Sequence, residues 1–159
     1  MSDVPRRVRV GSDRAAFYDR REDLYALQNT GEDERAIARV RQDARTSFAV
    51  FKGPPPSSQA ADDILPVYSA GPNGPLAIPT GRVFVRFKEG VRAEDRRDDL
   101  AALGFNFDSS PSYAPNAAWV SPVTGGAPRA LERIPALETL RDVVHVEPHL
   151  LLERARKGQ

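Results

Sequence analysis

The sequence has 159 residues, which is typical of one domain with or without an extension and is long enough to bury a core. Lysine and arginine number 23 and aspartate and glutamate 22, and this balance argues against a dedicated nucleic-acid binder, which usually carries a large basic excess. The absence of cysteine excludes disulfides and thiolate metal sites.

Proline and glycine divide the chain into parts. Residues 53–58, Gly-Pro-Pro-Pro-Ser-Ser, cannot form a helix or a central strand, because proline fixes φ and lacks an N–H donor. Residues 71–75, Gly-Pro-Asn-Gly-Pro, form a second turn cluster. We therefore predict an N-terminal extension over 1–52, a Pro/Gly-rich linker over 53–79, a folded domain over 80–153 and a tail over 154–159.

The N-terminal extension is predicted to contain a strand, a helix and a second strand. Residues 7–10 alternate between charged and apolar side chains, which predicts a short strand. Residues 32–45 place Ile37, Val40 and Ala44 at helical spacing, with acidic residues first and arginines last, as a helix dipole favours. Residues 47–51 predict the second strand, so we expect an α/β extension.

The C-terminal part gives a clearer pattern. Val83, Val85 and Phe87 share one face of an alternating segment, which predicts a half-buried strand over residues 82–87. Residues 93–103 predict a helix that ends before Gly104. Residues 105–107 and 113–123 then predict two further strands.

The chain closes with a second helix and a last strand. Leu131, Ile134, Leu137 and Leu140 form a helical stripe, in which Pro135 should kink or restart the helix. Residues 143–152 predict the last strand. The order predicts an α+β fold of the ferredoxin-like βαββαβ type, with one antiparallel sheet and two helices on one face.

The sequence contains no recognisable catalytic constellation. His145 and His149 lie in the last predicted strand, about 13 Å apart, and so cannot bind one metal ion together. The acidic runs at 32–34 and 98–99 are typical of solvated helix faces, and Gly125-Gly126 lacks the context of a phosphate-binding loop. We therefore predict a protein that is not an enzyme and that uses no metal or cofactor.

Four short motifs follow one another over residues 79–153. They are the strand PTGRVFVRFKEGV, the helix end DLAALGF, the strand AWVSPV and the final unit ALERIPALETLRDVVHVEPH. In this order they resemble the propeptide domain of subtilisin-like serine proteases (subtilases), including its free-standing inhibitor relatives. The resemblance covers about half of the chain, and His149 stands where the family often has asparagine.

The resemblance implies a protein that binds a subtilisin-like serine protease as an inhibitor, a folding chaperone or both. A sheet face with Phe84, Arg86, Trp119 and Ser121 would pack on two helices of the protease. The C-terminal tail would lie in the active-site cleft as an added strand. This tail comprises Glu153, Arg154, Ala155, Arg156, Lys157, Gly158 and Gln159.

The location of the protein depends on how the protease is encoded. The start of the sequence lacks the apolar stretch of a signal peptide, and no segment is long and apolar enough for a membrane span. These features favour a cytoplasmic protein that does not contact membranes, with the protease as a separate chain. An excised prodomain would instead be secreted with its protease.

Two other functions remain open. The chain could be a non-protease interaction or scaffold module, with the charged N-terminal half contacting the partner. A nucleic-acid binder ranks last, because Phe84 between Arg82 and Arg86 only weakly resembles the basic-aromatic strand of RNA-recognition domains. Trp119 lies either on the exposed sheet face or in the core, in which case the neighbouring residues 118 and 120 face outward.

Overall fold

The computed structural model describes residues 4–11, 15–28, 34–60 and 63–153. The strands within these ranges are β1 (Arg7–Val10), β2 (Ala16–Gln28), β3 (Ala38–Arg41), β4 (Ser47–Lys52), β5 (Leu65–Ser69), β6 (Leu76–Phe87), β7 (Phe105–Ser109), β8 (Ala117–Pro122) and β9 (Val143–Leu152). The helices are α1 (Arg97–Ala102), which follows a 3-10 turn at Ala93–Arg96, α2 (Gly126–Glu132) and α3 (Ile134–Glu138). None of these helices has the length and apolar character needed to cross a membrane.

All the described strands belong to one sheet with antiparallel pairing. Its main path is β3-β4-β2-β5-β6-β8-β7, while β1 pairs with β2 and β9 pairs with β6. The long strand β6 is the centre of this arrangement: its first half pairs with β5, its second half pairs with β8, and β9 follows it along its other edge. The N-terminal and C-terminal parts of the chain are therefore joined through β6.

The ferredoxin-like prediction is wrong. The described part of the chain forms a nine-stranded antiparallel sheet with only short helices, whereas the prediction was a four-stranded sheet with two helices on one face and an α/β extension. The N-terminal strands β1 to β4 continue the same sheet. The segment 53–79, predicted as a linker, contains the fully buried strand β5 and the start of β6.

The predicted N-terminal helix is a β-hairpin in the residues that the structure describes. Val40 pairs with Phe48 across β3 and β4, and both side chains are buried. The Asp43 carboxylate accepts the backbone N–H groups of Arg45 and Thr46, each at 2.8 Å, and so closes the turn. Pairing with β4 and this Asx-type turn override the helical spacing, because tertiary contacts outweigh local propensity.

The helix predicted over the leucine stripe is broken, as Pro135 indicated. α2 ends at Glu132, and α3 begins at Ile134 with Pro135 in its first turn, where proline is tolerated. Leu131 and Leu137, one on each helix, are fully buried. The two short helices therefore still contribute to the core of the protein.

Two apolar clusters meet along β6. Ile78, in its first half, packs in a cluster formed by β2, β3, β4 and β5, with Ala127 of α2. Val83, Val85 and Phe87, in its second half, pack with side chains of the helices and of β7 and β8. Because side chains alternate along a strand, the buried position of these three residues directs their neighbours 82, 84 and 86 to the opposite face.

Gly81 separates the two halves of β6. Its φ of 96° lies in a region that other residues rarely adopt, and the register with β9 shifts between Pro79 and Val83. A side chain at Gly81 would also lie beside the backbone of Ala127, about 3.5 Å away. This irregularity precedes the residues of the candidate site.

Candidate functional site

The open face of the C-terminal strands is formed by β6, β8 and β9. Phe84 of β6 lies opposite Trp119 of β8 on one side and opposite Glu147 of β9 on the other. Arg86 lies opposite His145. Directly opposed residues of neighbouring strands project to the same face, so these side chains form one layer above the sheet.

Phe84 and Trp119 form an aromatic pair at the middle of this face. Their ring centroids are 5.1 Å apart, and the ring planes meet at 63°, an edge-to-face arrangement. Both side chains are partly exposed, whereas Ala118 and Val120 are fully buried on the other side of β8. Of the two positions left open for Trp119, the structure therefore shows the one on the sheet face.

Two arginines cover this aromatic pair. The Arg82 guanidinium carbon lies 4.6 Å from the centroid of the Trp119 ring, and that of Arg86 lies 5.6 Å from the centroid of Phe84. Both distances are within the range of cation–π contacts. We call Arg82, Phe84, Arg86 and Trp119 the aromatic–arginine patch.

His149 borders the patch on the side of Trp119. Its ring contacts the indole edge-to-face at 5.7 Å, and its Nδ1 atom shares a hydrogen bond of 2.9 Å with the Thr80 hydroxyl. Burial lowers the pKa of His149, and the positive charge of Arg82 lowers it further. The imidazole is therefore predominantly neutral at pH 7.

Glu147 borders the patch on the side of β9. Its Oε2 atom accepts the Gly11 backbone N–H at 2.6 Å and the His145 Nε2–H at 3.0 Å. A small cavity of about 120 Å³ opens between Glu147, Trp119 and Tyr18. The carboxylate is thus already engaged by groups of the chain itself.

The structure brings together three of the four sheet-face residues that the sequence predicted. Phe84, Arg86 and Trp119 belong to the patch. Ser121 lies two residues further along β8, where its hydroxyl donates to the Asp108 carboxylate at 3.0 Å. Ser121 therefore lies at the margin of the face and is bonded to β7.

The predicted tail falls mostly beyond the part of the chain that the structure describes. Glu153 follows β9 directly, and its backbone N–H donates to the Leu76 carbonyl at 2.8 Å. This bond ties Glu153 to the sheet. The remaining tail positions, Arg154, Ala155, Arg156, Lys157, Gly158 and Gln159, lie outside the described residues.

The sequence-based selection of site residues missed Arg82, Glu147 and His149. Arg82 could have been found, because the alternation that selects Phe84 and Arg86 places Arg82 on the same face. Glu147 and His149 could not be assigned to this face without the register between β6 and β9, which no local pattern reveals.

The patch combines apolar and hydrogen-bonding groups on a partly exposed part of the sheet. It offers two aromatic rings and two guanidinium groups, each with several N–H donors. Within the ranges that the structure describes, no group of three or more His, Asp or Glu side chains is arranged to hold a metal ion.

No family model, no curated protein and no solved structure matches this chain.

Proposed function

We propose that the chain is a non-catalytic protein-binding module that contacts its partner through the aromatic–arginine patch. One observation carries the proposal: Phe84 and Trp119 form a partly exposed aromatic pair, and Arg82 and Arg86 lie over their rings. The outward positions of a strand could be filled by small polar residues without loss of the fold. Large aromatic and arginine side chains at these positions favour a role in contact with another molecule.

The composition of the patch supports a protein partner. Tryptophan, aromatic residues and arginine are enriched among the residues that contribute most to protein–protein binding. The four side chains already restrain one another by stacking, so binding costs little additional side-chain entropy. Asp108 and Glu147 lie on the same face, and this mixture of charges is less suited to a nucleic-acid backbone.

A crosslinking experiment tests this proposal. A photo-crosslinking phenylalanine analogue at position 84 should capture a partner from an extract of the native host, and the partner can then be identified and purified. The affinity of the purified partner for the Phe84→Ala variant should fall about 30-fold, as expected for a residue central to an interface.

Phe17 provides a matched control for Phe84. It is an exposed strand residue with its own stacked arginine, Arg7, but it lies on the β1–β2 hairpin. Phe17→Ala should leave the affinity for the partner unchanged. Equal losses of affinity in the two variants, or none in Phe84→Ala, would contradict the proposed function.

A second candidate is a subtilase inhibitor or folding chaperone, which the ordered motifs over residues 79–153 favour. Its patch residues and Ser121 would contact the protease, and its tail would occupy the active-site cleft. The test is a titration of a purified subtilisin-type protease with the full chain while residual activity is recorded. Stoichiometric loss of activity would support this candidate, whereas slow digestion of the chain without inhibition would count against it.

A truncated chain separates the tail from the sheet. A variant that ends at Glu153 keeps the bond between Glu153 and Leu76 and removes only residues 154–159. If the tail occupies the cleft, this variant should fold and fail to inhibit. Inhibition that survives the truncation would rule out the tail mechanism and direct attention to the sheet face.

A further inference from the structure

Four arginines of the described residues lie over an aromatic ring, and two of them also have a carboxylate partner. Arg7 lies over Phe17 and bonds to Asp19 at 2.8 Å. Arg97 lies over Phe107, and its guanidinium is 3.9 Å from Glu94.

The other two arginines are Arg82 and Arg86 of the patch, neither of which lies within salt-bridge distance of a carboxylate among the described residues.

The acidic groups nearest in the sheet are already engaged. Glu147 accepts hydrogen bonds from Gly11 and His145, and Asp108 accepts one from Ser121. The guanidinium groups of the patch therefore keep N–H donors available for an external acceptor. Stacking on a ring restrains each guanidinium, which lowers the entropic cost of forming a two-pronged bond to a carboxylate.

The spacing of the two arginines sets a requirement for the ligand. The backbone positions of Arg82 and Arg86 are four residues apart on β6, about 13 Å along the strand, with Phe84 between them, and their guanidinium groups lie over Trp119 and Phe84. We infer that the patch binds an extended acidic segment of the partner protein. Two carboxylates on one face of this segment pair with Arg82 and Arg86, and an apolar side chain between them contacts the part of the aromatic pair that remains exposed. This inference rests on the proposed function.

A carboxylate segment fits the patch better than a nucleic acid does. A single strand of nucleic acid carries a phosphate at every nucleotide and is usually held in a continuous basic groove. Here Glu147 and Asp108 interrupt the positive charge on both sides of the patch. Two isolated arginines that flank an apolar centre match two separated carboxylates.

Two short peptides provide the probe. The first is acetyl-Glu-Thr-Val-Thr-Glu-amide, and the second carries glutamine in place of both glutamates. The full chain is titrated with each peptide while the fluorescence of Trp119, the single tryptophan, is recorded. The acidic peptide should bind at least about tenfold more tightly than the glutamine peptide, and its binding should weaken as salt is added.

Paired arginine variants locate the binding site. Arg82→Gln and Arg86→Gln should each weaken binding of the acidic peptide about three- to tenfold, because each removes one charge-assisted contact. Arg7→Gln and Arg97→Gln remove stacked arginines elsewhere and should leave binding unchanged. Circular dichroism should show an unchanged fold for Arg82→Gln and Arg86→Gln, since neither guanidinium has an ion pair to lose in the described residues.

The outcomes distinguish this inference from the proposed function. Three outcomes would overturn the inference of an acidic segment. They are equal affinity for the two peptides, equal effects of all four arginine variants, and tighter binding of an oligonucleotide of eight uridines than of the acidic peptide. If Phe84→Ala weakens binding of the purified partner but the double variant Arg82→Gln/Arg86→Gln does not, the inference fails while the proposed function stands. If the acidic peptide binds at the patch but Phe84→Ala leaves the partner unaffected, the proposed function fails instead.

Discussion

Phe84 and Phe87 lie three residues apart on β6 and project to opposite faces, so their truncation should have different effects on stability. Phe87 is 1% exposed within an apolar cluster, and Phe87→Ala should lower the free energy of unfolding by about 3–5 kcal/mol. Phe84 is partly exposed, and its truncation removes the edge-to-face contact with Trp119 and the cation–π contact with Arg86. The aromatic pair contributes about 0.5–1.5 kcal/mol and an exposed cation–π contact about 0.5–1 kcal/mol, so Phe84→Ala should cost about 1–2.5 kcal/mol.

Urea unfolding followed by far-ultraviolet circular dichroism measures this difference. Tryptophan fluorescence is less suitable, because Phe84 contacts Trp119 directly and its removal changes the emission itself. Should Phe87→Ala be too unstable to fold, the Phe→Leu pair at the same positions gives the same ranking on a smaller scale. A cost for Phe84→Ala as large as that for Phe87→Ala would refute the assignment of Phe84 to an open face.

Two further predictions concern charge and pH. Hydrogen bonding to Lys88, with the nearby Arg96, lowers the pKa of Asp142, so Asp142→Asn should lower the melting temperature at pH 7. This loss should shrink as the pH falls below about 4, because the ionised carboxylate stabilises the fold only above its folded pKa. His149 has a lowered pKa, so protons bind the unfolded chain more readily and stability should decline as the pH falls below about 6.5. Thermal unfolding of His149→Asn should show a weaker decline over the same range, and an identical decline would contradict the burial of the imidazole.

Local patterns were informative where one face of a strand is buried and the other is not. The alternation of residues 82–87 predicted a strand, and these residues form the second half of β6. The same parity placed Phe84 and Arg86 on the open face. Pro135 indicated the break between α2 and α3 because its ring is incompatible with a helix interior.

The N-terminal half misled the sequence analysis for identifiable reasons. β2 was missed because residues 19–23 are all charged and conceal the strand pattern. In the structure Asp19 pairs with Arg7 of β1, and Arg21 pairs with Asp23 on the same strand, so part of this charge is paired within the sheet. β5 was assigned to a linker because prolines and glycines surround its five buried residues. Both segments become strands because they pair with segments that are distant in the sequence, and a local sequence pattern does not reveal such pairing.

Different physical reasons explain which residues occupy the patch and which occupy the core. Val83, Val85 and Phe87 are explained by burial alone, since their replacement would open cavities. Arg82, Phe84 and Arg86 alternate with them on the open face, where we expect a smaller contribution to stability, and serine or threonine is compatible with a strand at the same positions. A measured cost of Phe84→Ala well below that of Phe87→Ala would therefore support a binding role, because burial alone would then not explain a large aromatic residue at this position. The acidic peptide and the purified partner then test that role by affinity, which is independent of the stability measurements.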